Sequence, residues 1–213
     1  SLLKVKVYNS GRIVYTGKIR PRDREPFIVV GFENNHDGYS NIKLQAKMFS
    51  RAFNQLKSRY AFNNFKGIGH SNGGLIYTYY LEHYFNERQK ITRLLTIASP
   101  FNFAEPINRK TEMLRDFEKN RDKLPKNMIV YSIAGSENYV EDGLVPVSSV
   151  EAGKYIYQGV VKSYTQVTVT GKLAQHSALP QNKQVILLIQ RHVLKHRQPQ
   201  QNRGMPTTGN NNE

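Results

Sequence analysis

Apolar and polar residues alternate from Leu2 to Thr16, in LLKVKVYNSGRIVYT, and the alternation turns around at Asn-Ser-Gly. Period-two alternation on both sides of such a turn predicts a β-hairpin. Residues 26–33, PFIVVGFE, are instead a continuous apolar run. Such a run predicts a strand buried on both faces. A polar loop at 34–38 leads into residues 40–60, where Ile42, Leu44, Ala46, Phe49, Phe53 and Leu56 fall mostly at helical spacing.

The alternation of element types then continues. Residues 65–69 approach a glycine-rich turn as a short strand, and residues 75–89 read as a tyrosine-rich helix. Residues 91–98, ITRLLTIA, read as a strand that stops at Ser-Pro. Residues 111–124 form a charged helix, and residues 127–134, NMIVYSIA, a second buried strand. Residues 164–170, YTQVTVT, alternate as a strand, and residues 182–195 close the pattern as a helix. Strands alternating with helices predict an α/β domain, mainly parallel, with helices on both faces of the sheet. The polar segment 101–126 lies between two core strands and is the expected place for a small cap or lid.

Length changes this picture little: 213 residues suit one domain with a full core. We expect that domain over 1–197. The stretch 198–213 is rich in Gln, Asn, Pro and Thr, and too poor in apolar residues to order itself. Composition excludes more. The chain has no cysteine, so disulfides, thiolate zinc sites and cysteine nucleophiles are ruled out. No apolar run approaches the length that spans a bilayer. The N-terminus opens on a strand pattern and lacks the layout of a secretory signal, which leads us to expect a removed upstream segment.

Charge adds an expectation about partners. Lys plus Arg is 31 against 16 for Asp plus Glu, a formal charge of +15. A balance this basic suits an anionic membrane or wall polymer. Nucleic acid is not expected, because no arginine-rich block, zinc-finger spacing or aromatic nucleic-acid-binding strand is present.

The candidate chemistry centres on Gly69-His70-Ser71-Asn72-Gly73, which has G-x-S-x-G spacing at a strand-to-helix junction. In such an elbow the serine sits at the tip of a sharp turn and the glycines relieve crowding. The next backbone N–H, that of Asn72, then opens a helix and can stabilise an oxyanion. A serine hydroxyl needs a base. His83, His192 and His196 read as packed or surface residues. His70 and His36 read as residues that line the site or its cleft. His176 follows the last strand and precedes the last helix, the place of the base in hydrolases with this elbow. The base needs a carboxylate to orient it. Glu137, Glu141 and Asp142 all follow the strand at 127–134. Asp142 is favoured because a glycine turn and an apolar return into the core come next.

The order Ser71, Asp142, His176 resembles that of the α/β-hydrolases. GHSNGG at 69–74, DGLVPVSS at 142–149 and HSALP at 176–180 carry this resemblance, and FIVVGFENN at 27–35 and TIASPFN at 96–102 add to it. Within that superfamily the chain looks most similar to uncharacterised lipase-like hydrolases of Gram-positive bacteria, described as cell-surface hydrolases. The resemblance covers about 28–190. It implies the α/β-hydrolase fold and a carboxylesterase- or lipase-like serine hydrolase that cleaves an acyl ester without a metal or organic cofactor. It also implies a cell-surface or extracellular place, with a cytoplasmic one as the alternative. Phe101 and Phe103, with Tyr77, Tyr79 and Tyr80, are candidates for an apolar acyl pocket and equally for plain core. Thioesterase, peptidase and acyltransferase chemistry use the same three residues.

One departure qualifies the expectation. Relatives of this kind carry an H-G-x-G-like loop upstream of the elbow, which supplies a second oxyanion donor, and this chain shows no such motif. A weak or inactive hydrolase-fold protein that binds an anionic surface or wall polymer is therefore the alternative expectation.

Overall fold

The computed structural model describes residues 1–194. The expected flexible stretch at 198–213, and His196, lie outside the described residues.

The hairpin forms as its alternation requires. Strand β1 (Leu2–Val7) pairs antiparallel with β2 (Ile13–Gly17). Strand β3 (Phe27–Phe32) pairs parallel with the other side of β1. Helix α1 (Tyr39–Tyr60) follows and buries Met48, Ala52 and Leu56 against Leu3, Val5 and Val7 of β1. This three-stranded sheet is covered by α1 on one face only. The expectation of a β3 buried on both faces is therefore corrected: its residues alternate between exposed and half-buried. Ile28, Val30 and Phe32 pack inward, while Val29 is 53% exposed. An apolar run shows that both faces of a strand suit burial, but coverage depends on whether another element reaches the second face.

Strands β4 (Asn64–His70), β5 (Lys90–Ile97), β6 (Ile129–Ser136) and β7 (Ser163–Thr170) form a second sheet. It is entirely parallel, in that order. Helices cover both of its faces, as expected for a parallel sheet. On one face lie α1, α2 (Asn72–His83) and α3 (Glu112–Asn120), with α5 (Gly153–Tyr157). Their shared core includes Phe49, Leu75, Leu81, Leu94, Phe117 and Ile156. On the other face, α6 (Lys183–His192) sets Val185 against Leu95, Ile97, Ile133 and Val169.

Among the described residues, β3 and β4 are not hydrogen-bonded to each other, and each is the outer strand of its sheet. The two sheets are joined through α1, whose Phe53 ring lies 4.6 Å from the Phe65 ring of β4, while Val30 and Phe32 of β3 pack on the same core.

Several element boundaries differ from the expectation. Helix α2 ends at His83 rather than near Gln89, because the polar Asn86–Arg88 stretch turns on the Asn86 side chain. The charged helix ends at Asn120 and continues as a 3-10 turn over Arg121–Lys123. The segment expected as a cap belongs to the helical layer. Met113, Leu114 and Phe117 are fully buried in the main core. The Asn102 side chain binds the carbonyls of Glu105, Pro106 and Arg109 and accepts from Thr111 N–H. Two short helices, α4 (Val147–Glu151) and α5, fill a stretch with no predicted element.

Candidate active site

The site is assembled at the C-terminal ends of β4, β6 and β7. Strand β4 ends at His70, and α2 begins at Asn72. Between them Ser71 has φ 52° and ψ −124°, a conformation that side-chain-bearing residues seldom adopt. Its own N–H donates to Ile97 O at 2.8 Å, which pins the turn to β5. Two glycines make the turn possible, and they are not the symmetrical pair the motif suggests. A Cβ on Gly69 would stand 2.6 Å from the backbone of Gly73 and Gly74. A Cβ on Gly74 would stand 2.1 Å from Ser99 Oγ. Gly73, the second glycine of the motif, has open space where its Cβ would be.

Asp142 lies beyond β6 in a tight turn and is 1% exposed. Its Oδ1 accepts from Val145 N–H at 2.7 Å and from Leu144 N–H at 3.1 Å. Its Oδ2 lies 2.8 Å from His176 Nδ1. Burial by itself raises the Asp142 pKa. The His176 ring and the two backbone N–H groups outweigh it and hold the carboxyl below the ordinary range. Asp142 is therefore ionised, and His176 Nδ1–H donates to it. That leaves His176 Nε2 as an acceptor, 3.0 Å from Ser71 Oγ.

The His176 backbone is held as firmly as its ring. Its N–H donates to Asp142 O at 2.9 Å. Its carbonyl lies 2.9 Å from His70 Nε2. A carbonyl only accepts, so that His70 nitrogen carries the proton. The two imidazole rings are 5.0 Å apart. Burial lowers the His70 pKa, which favours a neutral ring beside His176. His70 thus lines the site from beneath the base. Its place at the site agrees with the sequence reading, and its bond to the His176 carbonyl comes only with the fold.

The other candidates fall out differently. Asn72 opens α2, where the first N–H groups of a helix lack intrahelical acceptors. Its side chain donates to Asp37 Oδ1 at 2.7 Å, tying the elbow to the β3–α1 loop. Asp37 was not anticipated, because only folding brings that loop to the elbow. His36, in the same loop, is exposed and holds Asn41 through its carbonyl. Phe101 is fully buried and packs edge-on against Tyr157 at 6.0 Å, so the structure places it in the core rather than a pocket. Phe103 is half-buried against the same core. Tyr80 is buried there too, while Tyr79 stacks on His83 at 4.1 Å. Glu137 and Glu141 are bonded to each other through the backbone at 3.0 Å, whereas the carboxylate on His176 is that of Asp142. Among the described residues no cluster of His, Asp and Glu is fit to hold a metal ion.

A parallel sheet flanked by helices, with a strained serine on a strand-to-helix turn, places the chain among the α/β hydrolases. Residues 1–196 match the family of alpha/beta hydrolases of unknown function named DUF915, and the chain belongs to that family. Two crystal structures are similar to it. One, described as the "putative cell surface hydrolase" of Lactobacillus plantarum WCFS1, is 48% identical with a TM-score of 0.85. The match covers 93% of this chain and 80% of that one. The other, the lin2722 product of Listeria innocua, is 30% identical with a TM-score of 0.84. That match covers 92% of this chain and 83% of the relative. No curated protein matches the chain.

Proposed function

We propose that the protein is a serine hydrolase that cleaves acyl esters by a Ser71–His176–Asp142 relay. The observation that carries this reading is the unbroken chain of two contacts, 3.0 Å from Ser71 Oγ to His176 Nε2 and 2.8 Å from His176 Nδ1 to Asp142 Oδ2. Ser71 Oγ attacks the carbonyl carbon as His176 Nε2 takes its proton. The anionic Asp142 stabilises the imidazolium that forms. The carbonyl oxygen becomes an oxyanion that accepts from Asn72 N–H, aided by the positive end of α2. His176 returns the proton to the leaving alcohol, and the ester bond to it breaks. Water, deprotonated by His176, then releases the acid and restores Ser71. The four polar groups of His176 are all engaged, so the base is set for the transfer before substrate arrives.

The location printed for the Lactobacillus relative is the cell surface. We extend it to this chain, whose charge of +15 suits an anionic surface that carries the ester.

The test is a fluorophosphonate probe, followed by mass spectrometry of the modified peptide. Labelling at Ser71, absent from a folded Ser71→Ala variant, is the expected result. No labelling of folded wild-type protein, or equal labelling of the variant, would reject the assignment.

A further inference from the structure

Helix α1 carries an unbalanced charge. Its 22 residues include Lys43, Lys47, Arg51, Lys57 and Arg59, and not one Asp or Glu. An exposed helix face gains stability from acidic residues placed a turn away from basic ones, and α1 forgoes it. Among the described residues, Lys47 and Arg51 pair with no carboxylate. They stand one turn apart on the same face of the helix, with Cβ atoms about 6 Å apart.

Both line a groove of about 200 Å³ between α1 and the turn that joins β1 to β2. Val7, Leu44 and Met48 give the groove an apolar floor. A Cβ on Gly11 would stand 3.7 Å from Arg51 Nη1, so the guanidinium reaches across to the turn. Tyr8 also lines the groove, and Arg12 and Lys6 stand over its ring at 4.3 and 5.1 Å from the centroid. One carboxylate lies nearby, that of Glu33, whose Oε2 accepts from Asn9 N–H at 2.7 Å. Lys6, Arg12, Lys47 and Arg51 outweigh it, so the local field favours an anion.

The lining selects among anions. The Arg51 fork and the Lys47 ammonium offer separate donors to two oxygens of one group. A phosphodiester spreads its charge over two free oxygens, and its carbon linkers suit the apolar floor. The groove is recessed behind the hairpin turn, which admits a flexible chain more readily than the flat face of a bilayer. Its position points to a long ligand. Lys66, early in β4, pairs with Glu25 just before β3 at 2.9 Å, and Asn72, just after β4, donates to Asp37 in the loop after β3. Both strands therefore finish at one edge, where β1 finishes too. Asn34 of that loop lines the groove, and it stands at most about 11 Å from Asp37 along the chain. The groove and Ser71 thus share an edge, separated by on the order of 15 Å. A polymer spans that distance, and a small ester does not.

We propose that this groove binds a phosphodiester group of an anionic polymer, and that the polymer continues along the edge to bring an ester to Ser71. The second half rests on the ester-hydrolase reading, and the first does not.

The test uses a synthetic oligomer of glycerol phosphodiesters at low salt. Calorimetry with the Ser71→Ala protein reads binding without turnover. The oligomer is expected to bind, and Lys47→Gln combined with Arg51→Gln to weaken it by about tenfold or more. Lys154→Gln combined with Lys162→Gln removes the same charge from exposed positions on α5 and before β7, and is expected to weaken it by about twofold or less. No binding, equal loss in the two double variants, or equal affinity for polyglutamate of matched charge would overturn the groove assignment. So would phosphatidylglycerol vesicles that lose binding in the first double variant while the oligomer does not, because the groove would then serve a membrane. In the wild-type protein, saturating oligomer is expected to slow fluorophosphonate labelling of Ser71 by about tenfold, and an unchanged rate would overturn the path to Ser71. Protein that binds the oligomer through the groove but is never labelled would reject the ester-hydrolase reading and uphold the groove.

Discussion

Gly73 and Gly74 are neighbours with opposite constraints. Gly74 abuts Ser99 and Thr96 of the β5 end, whereas Gly73 has open space. Gly74→Ala is expected to destabilise the fold by about 1–3 kcal/mol through overpacking. Gly73→Ala is expected to be neutral or to stabilise α2 by up to about 1 kcal/mol. Denaturant unfolding of the two variants measures both. His70 offers a second comparison. His70→Phe keeps the ring and loses the donor to the His176 carbonyl, and His70→Gln restores an N–H. The rate of Ser71 labelling by fluorophosphonate is expected to fall about tenfold or more in the first variant, with substantial recovery in the second. Equal rates in both would show that His70 serves only to fill space. At this scale the sequence was informative about Ser71, Asp142 and His176, because each stands at an element boundary and their order is restrictive. It placed His70 at the site without its bond to the His176 carbonyl, and it was silent on Asp37, because those partners lie across the fold.

Helix α2 carries the clearest element-scale anomaly. Glu82 is 4% exposed, and neither carboxyl oxygen has a hydrogen-bond partner among the described residues. Burial pushes its pKa up to about 9. Its neighbour His83 has Nε2 4.0 Å from Glu82 Oε2. Burial lowers the His83 pKa as it raises that of Glu82, so both are neutral near pH 7 and this is not an ion pair. The folded Glu82 pKa lies above the unfolded value of about 4.3. Between the two, the folded protein holds the extra proton. The stability from this group is complete below the unfolded pKa and is lost as pH rises toward about 9. Unfolding free energy is expected to drop by a few kcal/mol across that window. Glu82→Gln should flatten the slope, and urea titrations along the window measure it. A helix pattern read from sequence places Glu82 on α2 but not under α1 and α3, so its burial was not legible. The same limit explains β3: the apolar run identified the strand and overstated its cover.

The whole molecule carries +15 charges, and opposite charges on a partner surface are screened over about 30 Å at 0.01 M salt but about 8 Å at 0.15 M. Cosedimentation with vesicles rich in anionic lipid is expected at the lower salt and should fall steeply at the higher. Binding that ignores salt would remove the electrostatic argument. The sequence by itself determined the alternation of strands and helices, the parallel character of the main sheet and the serine elbow. Periodicity and glycine placement are local properties, and local sterics act on residues a few positions apart. Tertiary structure alone decided that β3 and β4 are not paired with each other among the described residues, that Met113, Leu114 and Phe117 join the core, and that His70 holds the backbone of His176. Those outcomes depend on which surfaces meet across tens of residues of chain, and across 106 for His70 and His176. Side-chain patterns state what each surface prefers, and packing in three dimensions selects the surface that meets it.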